Sequence, residues 1–127
     1  MIVNGEKIDS SILKLIELCN EKKFKTKYSC SGVINDHKPR VYPSQHIRFN
    51  IVFDINNDEQ IDFIENIAKK HNMMFIRNKT ISIMSKYGVT FRKSGYVRIL
   101  DEDPEYDKGV LSLIDTIYNE FNMCVIF

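Results

Sequence analysis

His46-Ile47-Arg48-Phe49-Asn50-Ile51-Val52-Phe53-Asp54 is the stretch on which the fold turns. Ile47, Phe49, Ile51 and Phe53 fall on one side of it. His46, Arg48, Asn50 and Asp54 fall on the other, the two-residue period of a half-buried strand. Directly afterwards the period changes. Ile61, Ile64, Ile67 and Ala68 recur at helical spacing over residues 58–71. Asn57 or Asp58 is placed to cap the start, and Lys69, Lys70 and His71 suit the negative end of the helix dipole.

The same alternation of periods continues outward. Toward the N-terminus, Ile12, Leu15, Ile16 and Cys19 predict a helix over 10–22, with Asp9 or Ser10 as its cap. Phe24, Thr26 and Tyr28 alternate with Lys25, Lys27 and Ser29 in a strand over 24–30. Residues 31–45 have no period and contain Gly32, Asn35-Asp36, Pro39 and Pro43, a long loop of the kind that is often functional. Toward the C-terminus, 73–77 and 80–85 read as strands joined at Asn78-Lys79. Residues 89–92 and 96–100 read as a second pair turning at Lys93-Ser94-Gly95. A last helix over 105–121 begins near Pro104, and 123–127 closes as an apolar strand. Three helix-to-strand junctions, at Lys22-Lys23-Phe24, His71-Asn72-Met73 and Phe121-Asn122-Met123, echo one another. The expectation is one α+β domain over 1–127: a mostly antiparallel sheet of five to seven strands, with about three helices packed on one face.

The 127 residues are 43% hydrophobic and 28% charged, which argues against a disordered chain. No apolar run approaches the ~20 residues of a membrane span, and the first residues lack the pattern of a signal peptide. Cys19, Cys30 and Cys124 are odd in number and contain no C-x-x-C. They point away from a disulfide scaffold or structural zinc and toward a reducing, cytoplasmic setting. Abundant Ile, Lys and Asn suit a low-GC bacterial or phage genome.

The net charge of +1 conceals a segregation. Residues 66–100 hold eight basic side chains and no acid, while 101–127 hold Lys108 against seven acids. A local positive field attracts phosphates or acidic surfaces, unless the fold sets it against the chain's own acidic helix. Within that stretch Arg92, Tyr96 and Arg98, with Thr80 and Ser82, share a sheet face suited to phosphate contact and base stacking. A second candidate is Ser29-Cys30-Ser31-Gly32, where small residues at a strand end leave amides free for an anion. The loop after it adds His37, Arg40, His46 and Arg48. Cys30 is alternatively a nucleophile with His37 or His46 as base, or a buried cysteine in a tight turn. The acidic run Asp101–Asp107 reads as dipole complementation at a helix start rather than a cation site. No metal, cofactor or catalytic residue is expected.

Residues 8–32, ending in Ser29-Cys30-Ser31-Gly32, resemble the opening of the tRNA wybutosine-synthesis methyltransferase family. They are also similar to small uncharacterised proteins of low-GC bacteria and phages. The first resemblance implies S-adenosylmethionine and RNA near Ser29–Gly32, with Val33-Ile34 standing where that family has an arginine. Three functions are therefore expected in order. The first is non-catalytic binding of a phosphate-bearing ligand, a nucleotide or RNA, by a phage or mobile-element accessory that sequesters nucleotides. The second is an S-adenosylmethionine-dependent RNA-modifying enzyme. The third is a protein-interaction module that forms a homodimer.

Overall fold

The computed structural model describes residues 1–37, 46–86, 88–90 and 104–124. An N-terminal hairpin comes first, β1 (Ile2–Val3) paired antiparallel with β2 (Glu6–Lys7). Its turn is Asn4-Gly5, both at positive φ (52° and 80°), the pair that a two-residue hairpin favours. A 3-10 turn (Ser10–Ile12) then leads into α1 (Leu13–Glu21). Next come β3 (Thr26–Cys30), a 3-10 turn (Ile34–His37), β4 (His46–Ile47), β5 (Asn50–Phe53) and α2 (Asp58–Lys70). The chain continues through β6 (Met74–Arg77), β7 (Ile81–Met84), β8 (Val89–Thr90) and α3 (Pro104–Asn122).

The α+β class and the three helices hold. The expected single sheet of five to seven strands does not. Among the described residues the main sheet has four antiparallel strands in the order β3-β5-β7-β6, and β1-β2 and β4-β8 are separate two-stranded ladders. The break falls inside residues 46–54. Ile47 pairs with Val89 while Asn50 begins pairing with Cys30 and Met84, so Arg48-Phe49 belongs to neither ladder. Phe49 turns its carbonyl to the amide of Ser85 at 2.9 Å instead. Of the expected second hairpin only 89–90 is described; 91–92 and the expected strand over 96–100 lie outside the described residues. At the other end, Met123 and Cys124 hydrogen-bond back to Asn119 and Phe121 as a turn off α3, and 125–127 of the strand expected over 123–127 lie outside the described residues.

One apolar core joins the helices to the inner face of the sheet. Ile51 and Phe53 of β5 and Ile81 and Ile83 of β7 meet Leu15, Ile16 and Cys19 of α1, Ile61, Ile64 and Ile67 of α2, and Ile114, Ile117 and Phe121 of α3. Phe24 sits at its centre, its ring 5.1 Å from Phe121 and 5.4 Å from Phe63 in tilted and edge contacts. No helix among the described residues is long and apolar enough to cross a membrane.

The junction echo has a physical origin. After α1, Lys23 adopts φ 73° and donates to Asn20 O (3.1 Å), while Phe24 donates to Cys19 O (2.8 Å). After α2, Asn72 adopts φ 57° and donates to Lys69 O (3.4 Å), while Met73 donates to Ala68 O (2.8 Å). Both are Schellman ends, which satisfy the last free carbonyls and fold a following apolar residue into the core. Phe24 and Met73 are those residues, both buried. The start of α2 is capped as expected, Asn57 Oδ1 accepting from the Gln60 amide at 3.0 Å.

Part of the basic stretch does meet the acidic C-terminal helix. Glu120 lies 2.8 Å from His71 and 3.2 Å from Lys70, which ties α2 to α3.

Candidate metal centre

The site begins where β3 ends. Cys30 is 8% exposed and Ser31 fully buried. Gly32 has φ +75°, and a Cβ there would stand 2.4 Å from the Phe49 amide nitrogen. Glycine is therefore needed twice, for a left-handed turn and for the close approach of the 48–49 backbone. That approach has a chemical result. The amides of Gly32 and Arg48 both hydrogen-bond the Cys30 sulfur.

Carboxylates from three regions then fix the loop. Asp9 Oδ2 accepts from the Ser31 amide (3.0 Å). Asp107, in the first turn of α3, accepts from the amides of Ile34 (2.8 Å) and Asn35 (3.2 Å). Asp36 accepts from Ser10 Oγ (3.0 Å), Ser11 Oγ (2.9 Å) and the Ser11 amide (3.3 Å). Asp9 makes no side-chain cap at the helix start, contrary to expectation, because its carboxylate crosses to Ser31. With the 3-10 turn pinned on both sides, His37 swings back over Cys30.

Three donor atoms of different chemistry converge there. His37 Nε2 lies 3.7 Å from Cys30 Sγ and 3.6 Å from Asp9 Oδ2, and all three atoms lie within 4.8 Å of one another. The His37 and Asp9 side chains are 17% and 25% exposed. A tetrahedral ion with bonds of ~2.3 Å to sulfur and ~2.0 Å to nitrogen and oxygen sets its ligands ~3.3–3.6 Å apart. The two separations from His37 Nε2 are close to those, before any contraction about a cation, and the sulfur–carboxylate separation is within 4.8 Å.

A nucleophile relay fits less well. It requires the thiol on one imidazole nitrogen and the orienting carboxylate on the other. Here both face Nε2. The thiol is also not activated. Burial pushes its pKa up, the two amides pull it partly back, and the Asp9 and Asp36 carboxylates raise it further.

The loop residues expected from sequence are thus only partly brought together. Cys30, Ser31, Gly32 and His37 meet, and Arg48 joins them through its backbone. Ser29 faces the other side of the sheet, in register with Ile51. The amides that an anion-binding loop needs, at Ser31, Ile34 and Asn35, are taken by Asp9 and Asp107. Ser82, expected on a solvent-facing nucleotide surface, is 7% exposed. Arg40, Arg92, Tyr96 and Arg98 lie outside the described residues, as does the His46 side chain.

Asp9 and Tyr106 went unnoticed in the sequence. Asp9 lies outside the loop and reads as a helix cap, and Tyr106 reads as a residue of an acidic helix start. Tyr106 packs on the small cluster of Cys30, Ile34 and Ile47. Burial first, then the Asp107 and Cys30 charges, push its pKa up to about 12. Comparison of the chain with family models, curated proteins and solved structures finds no match.

Proposed function

We propose that this chain binds one divalent transition-metal ion, zinc by preference, through Asp9 Oδ2, Cys30 Sγ and His37 Nε2. The observation that carries this is the convergence of sulfur, nitrogen and oxygen donors within 4.8 Å of one another, two of the separations near tetrahedral spacing, beside a buried strand end. A thiolate among the donors favours zinc and its neighbours over the hard cations magnesium and calcium. The two amides on the sulfur support it as a metal-bound thiolate and orient it, the role that outer partners play at metal sites. One thiolate, one carboxylate and a neutral imidazole around a dication sum to zero charge, so the filled site carries no uncompensated charge into a low-dielectric region. Three protein donors leave a tetrahedral ion one further position, the arrangement of zinc sites that exchange a ligand.

The test is cobalt(II) titration of the full chain, followed by competition with zinc. The expected result is one equivalent bound with a sulfur-to-cobalt charge-transfer band, which zinc abolishes. Cys30→Ser removes the band, and Asp9→Asn and His37→Gln each weaken zinc binding at least about tenfold. Absence of the band, or its survival in Cys30→Ser, overturns the reading.

The 3.7 Å thiol–imidazole contact favours one second reading, a cysteine nucleophile with His37 as base. Alkylation separates the two. A metal-held Cys30 is protected by zinc and released by chelator, whereas a nucleophile reacts at the same rate in both.

A further inference from the structure

Four buried side-chain polar atoms among the described residues have no hydrogen-bond partner: Ser29 Oγ, Arg48 Nε, Asn50 Oδ1 and Tyr106 Oη. Such groups are rare, because each forfeits hydrogen bonding to water, and a cluster of them marks a missing ligand or ordered water. Three of the four surround Cys30. Asn50 is its cross-strand partner on the same face of the sheet. The Arg48 backbone hydrogen-bonds its sulfur. Tyr106 packs on it, and its hydroxyl feels the charges of both Cys30 and Arg48.

The chemistry of these orphans is directional. Arg48 Nε–H only donates and a neutral Tyr106 hydroxyl donates, whereas the unpartnered Asn50 atom is its amide oxygen, an acceptor that takes no part in holding an anion. The Arg48 guanidinium is held in part by Met84 Sδ at 3.8 Å, a weak acceptor that leaves most of its donors to another group. Tyr106 also lines an open cleft of about 410 Å³ with Lys86, Met73 and Val110.

Resting on the metal reading above, we infer that the ion's remaining position takes an oxyanion, the phosphoryl or carboxylate group of a small ligand, held by Arg48 and Tyr106. A cation behind the oxygen and two donors around it satisfy two features at once: the open position and the orphaned donors Arg48 Nε and Tyr106 Oη. The anion is then bound by metal and side chains, not by the loop amides, which Asp9 and Asp107 already occupy.

The experiment uses the full chain. Zinc content is measured first, and inorganic phosphate or acetate is then titrated into the zinc-loaded protein by calorimetry. The expected result is one zinc per chain and saturable binding of one of the two anions, with the tighter one naming the ligand class. Arg48→Met and the near-isosteric Tyr106→Phe each weaken that binding about tenfold or more while zinc content stays at one per chain. A chain that takes no zinc overturns both the metal reading and this inference. A chain that takes one zinc and binds neither anion, or whose two variants bind as wild type does, overturns this inference alone.

Discussion

Gly32→Ala is the substitution that most sharply separates a generic turn from a built site. The cost is worked from two parts. A non-glycine residue at φ +75° pays roughly 1–2 kcal/mol for the left-handed conformation. Its Cβ would also stand 2.4 Å from the Phe49 nitrogen and 2.9 Å from the Phe49 Cα. Those are backbone atoms and cannot rotate aside, so the 48–49 segment must move, an overpacking cost of roughly 1–3 kcal/mol. Together the loss is roughly 2–5 kcal/mol. For a chain of this size each kcal/mol moves Tm by about 4 °C, so Tm falls by roughly 8–20 °C.

Gly5→Ala is the internal control. Gly5 has φ +80° with nothing within 4 Å of the added Cβ, so only the conformational part applies and Tm falls by roughly 4–8 °C. Differential scanning calorimetry of the two variants measures the difference. A second readout follows from the amides of Gly32 and Arg48 on the Cys30 sulfur. Their displacement weakens zinc binding at least about tenfold in Gly32→Ala and leaves it unchanged in Gly5→Ala. Equal losses of Tm in both variants would refute the close-approach argument, and an unaltered zinc affinity in Gly32→Ala would refute the role of those amides.

Gly109→Ala, in the first half of α3 with nothing within 4 Å of the added Cβ, raises stability by roughly 0.5–1 kcal/mol in urea unfolding. Lys23→Gly relieves the left-handed strain after α1, a gain of roughly 1–2 kcal/mol set against roughly 0.5–1 kcal/mol of unfolded-chain entropy; the net rise shows as a higher urea midpoint. Burial disfavours the charge on Glu120, but hydrogen bonds from His71 and Lys70 outweigh it and hold its carboxyl below the usual range. A depressed carboxylate stabilises the fold above its unfolded pKa, ~4.3, and that stability is lost as pH falls through the lower folded value. Glu120→Gln is therefore less stable than wild type by roughly 0.5–1 kcal/mol at pH 6–7, and the two converge near pH 3; a gap that persists at pH 3 would count against the ion pair as its cause.

The parts of the fold that were legible are those whose signal is local. Ile61, Ile64 and Ile67 set α2 by spacing alone, and the alternation of Ile81 with Ser82 and Ile83 set β7 against β6 across Asn78-Lys79. The hairpin at Asn4-Gly5 carried a strong turn signal, but its two-residue strands are too short to show a period. The continuous alternation over 46–54 misled because a strand pattern does not report where a ladder ends. The close approach of Gly32 to Phe49 decides that, and it is a tertiary fact. The metal centre was hidden for a related reason. Cys30 and His37 were visible as a pair, but Asp9 precedes α1 and Asp107 begins α3, and no sequence spacing announces that these carboxylates meet the loop after β3. Charge segregation pointed to a phosphate on the basic stretch, yet the ion pair of Lys70 with Glu120 accounts for part of that charge within the chain.

Zinc X-ray absorption of the purified, zinc-loaded chain reads the donor set directly. The account predicts a four-coordinate ion with one sulfur at ~2.3 Å and the remaining nitrogen and oxygen ligands at ~2.0–2.1 Å, with the sulfur lost in Cys30→Ser. A coordination sphere without sulfur, or one with two or more sulfurs, would contradict it.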